Sequence, residues 1–397
     1  MSFILIITGL IFALDGIWWA VSARLARRSS WHIPITLFMT LQVVALTWLF
    51  LGRLSHTGWD RWLPKFAVTA LFIWHTLLLP LLLALAVAVL PILFILFVVR
   101  FFKRPRRLES SPPKDQTGWS RRQFLGFAVA ATPPLFTLGL TAVALRQLSQ
   151  FRVRRFLLPM PDLPRDLDGM TIAQVSDMHV GRFTSGRVLR EMVKVVNELR
   201  ADLVLLTGDL INDALEDLDQ GIELVRAMEA RAGLYLIEGN HDLIENGGEF
   251  ERRIKASGIP FLLDESTVVL VRGFPVQLLG LSWTRTRQNR DEAIALSVRQ
   301  LLAQRHSDTF PILLAHHPHA FDAAAEASLP LTLSGHTHGG QLMLNERCGF
   351  GPALFRYWSG LYTHGPSKLI VSNGVGNWFP LRTNAPAEII HITLVRA

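Results

Sequence analysis

Five short islands of Asp, Asn and His hold the chain's candidate chemistry. They are Asp177-Met178-His179, Gly208-Asp209, Gly239-Asn240-His241-Asp242, Ala315-His316-His317-Pro318 and Gly335-His336-Thr337-His338. Carboxylate oxygens mixed with imidazole nitrogens suit a hydrolytic centre of two divalent ions, in which one carboxylate bridges ions roughly 4 Å apart. Asp177 and His179 lie two residues apart, so both reach one ion where a strand turns into a loop. Asp209, after the next apolar run, is the natural bridge. Asn240 offers a neutral oxygen, and His336 and His338 repeat the two-apart arrangement. His316 and His317 are neighbours, and strand alternation lets only one of them face the site. Mixed shells of this kind accept Mn²⁺, Fe or Zn²⁺. Taken singly, an Asp here is a helix cap and Gly-Asn-His-Asp a turn. The order of all five carries the reading.

These islands follow apolar runs that read as strands, at whose carboxyl ends an α/β sheet gathers ligands. Met170 to Val175, Leu203 to Thr207, Leu234 to Ile237, 311–315 and 330–333 are the positioning strands. Between them, Gly186 to Arg200 places Val188, Leu189, Met192, Val195, Val196 and Leu199 on one helical face. Further helices are expected at 215–230, 250–256 and 291–305. Two or three strands are expected across 259–283, with last β segments near 368–372 and 387–395. Alternating strand and helix followed by a strand-rich half implies two packed sheets flanked by helices.

The series D-x-H, G-D, G-N-H-D, H and G-H-x-H resembles the calcineurin-like metallophosphoesterase superfamily over roughly residues 168–397. The resemblance implies a four-layer α/β/β/α sandwich. It implies one metal on Asp177, His179, Asp209 and His338, and a second on Asp209, Asn240, His316 and His336. His316 rather than His317 matches the family position and continues the strand Ile312 to Ala315. His241 would stand beside the open face as proton donor to the leaving oxygen, with a metal-bridging hydroxide as nucleophile. Gly339-Gly340-Gln341, completing a GHTHGGQ motif, and Phe379-Pro380-Leu381-Arg382 resemble a bacterial membrane-anchored or exported phosphodiesterase subgroup. Arg382 is a candidate phosphate ligand. A related branch cleaves the pyrophosphate of UDP-diacylglucosamine.

Ahead of this domain the chain is apolar. Residues 3–22, 31–51, 66–101 and 123–147 are each long enough to cross a hydrocarbon core as helices. The expected division is three membrane helices in 1–101, a basic linker at 102–122, a fourth helix at 123–147 and the catalytic domain at 148–397. The third stretch exceeds one span and invites a kink near Pro80 or Pro91. Residues 1–155 carry 18 Lys/Arg against 4 Asp/Glu, leaving 22 against 28 for the remainder. The soluble part is therefore net acidic, which argues against a nucleic-acid substrate.

Arg24, Arg27 and Arg28 follow the first span, and Lys103, Arg104, Arg106, Arg107, Lys114, Arg121 and Arg122 precede the fourth. By the positive-inside rule both loops are cytoplasmic, so the catalytic domain lies on the periplasmic or extracellular side of a bacterial inner membrane. Arg53, Arg61 and Lys65 in the 52–65 loop weaken that asymmetry. Ser120-Arg121-Arg122-Gln123-Phe124-Leu125 resembles a twin-arginine export signal, or is an ordinary basic flank. Asp15 and His75 stand alone in apolar stretches, and Cys348 is the single cysteine. The expected partners are a lipid bilayer and a phosphoester substrate, lipid-linked or nucleotide-linked. Two alternatives stay open: a non-catalytic membrane sensor or scaffold on the same fold, and a cytoplasm-facing UDP-diacylglucosamine-type pyrophosphatase.

Overall fold

The computed structural model describes residues 2–26, 30–55, 62–102, 120–284, 289–345 and 347–397. Arg27, Arg28, Arg61 and most of the basic 102–122 linker fall outside them. The chain divides into two compact units, Met1–Leu145 and Arg146–Ala397.

The first unit holds α1 (Ser2–Ala26), α2 (His32–Ser55), α3 (Lys65–Phe72), α4 (Leu79–Phe102) and most of α5 (Arg121–Gln147). Among the described residues, four helical stretches are long and apolar enough to cross a membrane: Ile6–Ala26, His32–Gly52, Lys65–Phe102 and Arg121–Gln147. The long third stretch is one rod, with a π-helical turn at Ile73–Leu78 joining α3 to α4. That turn ends just before Pro80, which has no N–H to return to the preceding turn. At the twin-arginine-like motif the Ser120 N–H donates to Gln123 Oε1 (2.9 Å) and the Gln123 N–H to Ser120 Oγ (3.3 Å). This reciprocal pair is a capping box that starts α5.

The π turn also explains how two isolated polar residues become neighbours. His75 Nε2 lies 2.9 Å from Asp15 Oδ2, and Trp74 Nε1 donates to Asp15 Oδ1 at 2.8 Å. Consecutive residues thus face one buried carboxylate. His75 Nδ1 sits 3.0 Å from the Leu71 carbonyl, which only accepts, so that nitrogen carries a hydrogen.

The second unit contains two mixed sheets. In one, the order is β1 (Arg152–Met160), β13 (Glu388–Arg396), β2 (Thr171–Val175), β3 (Leu203–Thr207), β4 (Gly233–Ile237). In the other it is β11 (Gly360–His364), β12 (Ser367–Val371), β8 (Leu331–Ser334), β7 (Phe310–Ala315), β6 (Phe274–Leu281), β5 (Glu265–Val271). Strands β2, β3 and β4 are parallel, as are β6, β7, β8 and β12.

Period-two alternation sorts the side chains of these strands. Ile172, Leu203 and Leu205 share one core with Val276, Leu278, Ile312 and Leu314 of the other sheet. Their alternates Ala173, Val204 and Leu206 pack instead on α6 (Arg187–Leu199), α7 (Leu218–Arg226) and α8 (Gly247–Ala256). Leu279, Leu281, Leu313 and Ala315 likewise pack on α9 (Arg290–Leu302) and α10 (Ala320–Glu326). Burial on both faces is why these strands read as unbroken apolar runs. Val188, Leu189, Met192 and Val196 form the buried stripe of α6. Asn246 caps α8 by accepting from the Glu249 N–H.

Several elements escaped the sequence reading. β1 is an edge strand whose Arg152, Arg154 and Arg155 resemble the flank of a membrane helix. Glu388 binds Arg152 (2.8 Å) and reaches Arg154 (3.4 Å), so those charges dock the strand to β13. The short α10, the hairpin of β9 (Met343–Asn345) and β10 (Cys348–Gly349), α11 (Phe350–Leu354) and β11 are too brief to carry a period.

Candidate metal centre

Each island occupies the loop after a parallel strand: Asp177 and His179 after β2, Asp209 after β3, Asn240 and His241 after β4, His316 after β7, His336 and His338 after β8. The chain turns sharply there, with Asp177, His179, Asp209, His336 and His338 all at positive φ between 45° and 75°. Non-glycine residues rarely hold this conformation, and it turns side chains from different strands toward one point. Gly208, at φ +92°, makes room for that convergence, since a Cβ there would lie 2.6 Å from His316 Nδ1.

Donor atoms of Asp177, His179 and His338 form one group within 4.8 Å of one another. Asp177, Asp209 and His316 form a second, and His179, Asp209 and His241 a third. His338 Nε2 is 3.2 Å from Asp177 Oδ1, and His316 Nε2 is 3.1 Å from Asp209 Oδ2. His179 Nε2 faces His338 Nε2 at 3.0 Å and lies 3.6 Å from Asp209 Oδ2. Asp209 thus touches both imidazole sets, the position a bridge requires. His336 belongs to none of these groups, but its ring centroid is 5.2 Å from that of His316.

These donors fit a metal. Asn240 Oδ1 is buried without a hydrogen-bond partner, a costly condition unless a ligand satisfies it. Burial opposes ionisation of Asp177 and Asp209, yet the imidazoles around them hold both carboxyls well below the usual range. Burial likewise opposes charge on His316, but Asp209 outweighs it and raises that imidazole to about 10. Burial depresses His179 and His336, and drives His338 down to about 3. The site therefore presents anionic carboxylates and mostly neutral imidazoles, the protonation state that coordination demands.

Comparison with known proteins agrees with this geometry. The calcineurin-like phosphoesterase profile matches residues 170–340. A zebrafish (Danio rerio) transmembrane protein with metallophosphoesterase domain is 30% identical over 319 residues, covering 77% of this chain and 71% of its own. The chain belongs to the calcineurin-like phosphoesterase family. Two bacterial members of that family also align: uncharacterized metallophosphoesterase YkuE of Bacillus subtilis and phosphodiesterase YaeI of Escherichia coli. YkuE is 31% identical, with 58% of this chain and 81% of that protein covered. YaeI is 25% identical, with 56% and 80% covered.

Around the candidate ligands of this family member lies a second set of residues that the sequence reading did not assign. The Thr207 carbonyl accepts from His316 Nδ1 (2.7 Å) and the Asn212 carbonyl from His241 Nδ1 (2.5 Å), fixing both rings. Asp242 accepts the backbone N–H groups of Asp209, Ile211 and Gly239 at 2.9–3.0 Å. It thereby locks the Asp209 loop to the Asn240 loop. Burial and the nearby Asp209 charge push the Asp242 carboxyl well above its ordinary value. Ser176 Oγ donates to Asp177 Oδ2 at 2.5 Å. Trp283 and Trp378 wall the centre, with Trp283 5.0 Å from His336 and Trp378 6.3 Å from His338 between ring centroids.

Arg382 requires a correction. It does not face an incoming phosphate: it is buried, and protein acceptors take the whole guanidinium. Nε donates to Asn377 Oδ1 (2.9 Å), Nη1 to the Asn373 carbonyl (2.7 Å), and Nη2 to His338 Nδ1 (2.8 Å) and the Gly376 carbonyl (2.5 Å). Arg382 thus backs His338 on the side away from Asp177. The Gly-Gly-Gln motif also turns inward. Gly340 has no room for a Cβ against the Gly351 backbone, and Gln341 Nε2 donates to the Leu381 carbonyl (2.5 Å). The two motifs that looked separate in sequence are one assembly behind His338.

Proposed function

We propose that the chain is a membrane-anchored phosphodiesterase with a dinuclear metal centre. The observation that carries this is the convergence of Asp177, His179, Asp209, His316 and His338 from four strand-end loops, with Asn240 Oδ1 buried and unpartnered on a fifth. Asp177, His179, Asp209 and His338 would hold one divalent ion, and Asp209, Asn240, His316 and His336 the other. When bound, such ions supply Lewis-acid activation of water and neutralise charge at phosphorus. Mn, Fe or Zn suits these donors.

The chain's own residues do the rest. Thr207 and Arg382 fix the imidazole planes, and Asp242 holds two ligand loops in register. His241, with Nδ1 anchored on the Asn212 carbonyl, presents Nε2 to hand a proton to the leaving oxygen. Trp283 and Trp378 exclude water from the flanks of the site.

Two mixed sheets, each packed on helices, support reading residues 148–397 as a four-layer α/β/β/α sandwich. The GHTHGGQ and Phe-Pro-Leu-Arg motifs support the bacterial membrane-anchored subgroup. Four membrane helices in 1–147 would set this domain on the outer side of the inner membrane.

The test uses the full chain in detergent, stripped with chelator and reloaded with Mn²⁺. We expect about two ions per chain by elemental analysis and hydrolysis of bis(p-nitrophenyl) phosphate that chelator abolishes. An Asp209→Asn variant should lose both. Full metal occupancy without cleavage of any diester would sink this reading.

A further inference from the structure

Ile172 on β2 faces the core shared by the two sheets, and Gln174, two residues on, takes the same face. Gln174 is fully buried, and its Oε1 has no hydrogen-bond partner among the described residues. An amide so placed is a poor core residue, so the reason for it lies in what its other end holds. Nε2 donates to the Ser334 carbonyl (2.9 Å) and to Thr207 Oγ1 (3.2 Å). A carbonyl only accepts, which puts the NH₂ group on that side. Ser334 ends β8 in one sheet, and Thr207 ends β3 in the other. The Gln174 side chain thus ties β2 and β3 to β8 across the gap between the sheets.

Both ends of this tie lead to imidazoles assigned to the same ion. The Thr207 carbonyl accepts from His316 Nδ1 (2.7 Å), and Ser334 lies two residues before His336. The closure is tight. A Cβ on Gly335 would collide with Ser176 and Asp177, and the His336 N–H donates to Asp177 Oδ1 (3.1 Å). His338, further along the same loop, has Arg382 behind it. Among the described residues no hydrogen bond holds the His336 ring, so its place depends on where β8 ends.

We propose that Gln174 is a positioning residue for the ion that Asp209, Asn240, His316 and His336 would hold. By tying β8 to β3 it keeps His336 and His316 at the spacing which that ion requires. The other ion depends on it less, because Asp177 and His179 follow β2 itself and His338 is held by Arg382. The inference rests on the dinuclear reading of the centre.

The experiment titrates Co²⁺ into the metal-free full chain in detergent and follows the visible d–d bands. We expect the parent to take up about two ions. In Gln174→Met, which keeps the volume and removes both donors, one ion should bind about tenfold more weakly with altered bands. The other should bind as in the parent. Thr207→Val removes the hydroxyl and keeps the carbonyl; it should weaken the same ion by a smaller factor, and it decides the matter if Gln174→Met does not fold. Gln277→Met is the control. Gln277 on β6 is also fully buried, and its Nε2 donates to Ser266 Oγ (3.1 Å) and the Gln304 carbonyl (2.7 Å). Its loss should lower the thermal midpoint and leave both ions unchanged. Parent-like uptake in Gln174→Met, or equal weakening of both ions, overturns the inference and leaves the dinuclear reading standing. Weakening of the same ion in Gln277→Met overturns it too, since general loosening would then suffice. A parent chain that binds a single Co²⁺, or none, would defeat the dinuclear reading first.

Discussion

His338 shows how a single side chain is committed from two directions. Its Nε2 points at Asp177 and His179, while Arg382 donates to its Nδ1 from behind. A lysine keeps the charge but not the planar fork. Arg382→Lys should therefore weaken metal retention about 10–100-fold, measured by competition with a chromophoric chelator. A raised KM with metal affinity intact would restore Arg382 as a substrate ligand. His241 makes the opposite prediction. It is anchored on a carbonyl and closes the group with His179 and Asp209. His241→Ala should retain both ions yet lose about 10²–10⁴-fold in kcat, most with poor leaving groups. Loss of metal in that variant would make it a ligand instead.

At the scale of elements, the centre depends on loops holding each other. Asp242 takes three backbone donors from two loops with its two oxygens. Asparagine would offer one oxygen and turn an N–H₂ toward an N–H, at a cost of about 1–3 kcal/mol. Asp242→Asn should lower the thermal midpoint and weaken metal binding, both readable by calorimetry. An unchanged midpoint would show that the loops are held elsewhere.

The helical unit has an equivalent tie. Removing one member of a buried Asp15–His75 pair strands the other, which typically costs about 3–5 kcal/mol. Asp15→Leu and His75→Leu should each destabilise the unit, and the double substitution should cost less than their sum. Melts followed by tryptophan emission would report this, because Trp74 bonds Asp15 and lies 6.2 Å from Trp18. Strict additivity would mean that the pair contributes nothing.

For the whole molecule, the buried imidazoles set a pH window. His338 and His317 are each depressed to about 3 by burial, below the ordinary 6.5. The folded protein refuses protons that the unfolded chain binds, so stability falls as pH drops from 6.5 toward 3. His316 runs the other way. Asp209 overcomes its burial and raises it to about 10, so its contribution is full below 6.5 and is lost as pH climbs toward 10. Metal-free protein should melt highest at about pH 6.5, with the midpoint falling on both sides. A midpoint flat between about pH 4 and 6.5 would contradict the lower arm.

Much of this protein was legible in one dimension. The order of Asp177, His179, Asp209, Asn240, His316, His336 and His338 pointed to the loops at one end of the strands, because each follows a strand that announces itself as an apolar run. The helix stripe of α6 and the four apolar stretches were equally plain, since each repeats over many residues. What repeats nowhere stayed hidden: edge strand β1, the β9–β10 hairpin and α11. Contacts between distant segments were hidden too. Arg382 looked like a phosphate ligand until its donors were seen to be spent on His338 and on carbonyls 5–9 residues before it. Asp15 and His75 looked isolated until a π turn brought them together. Residue type and local period are properties of the chain alone, whereas which donor meets which acceptor is decided when strands and helices close on one another.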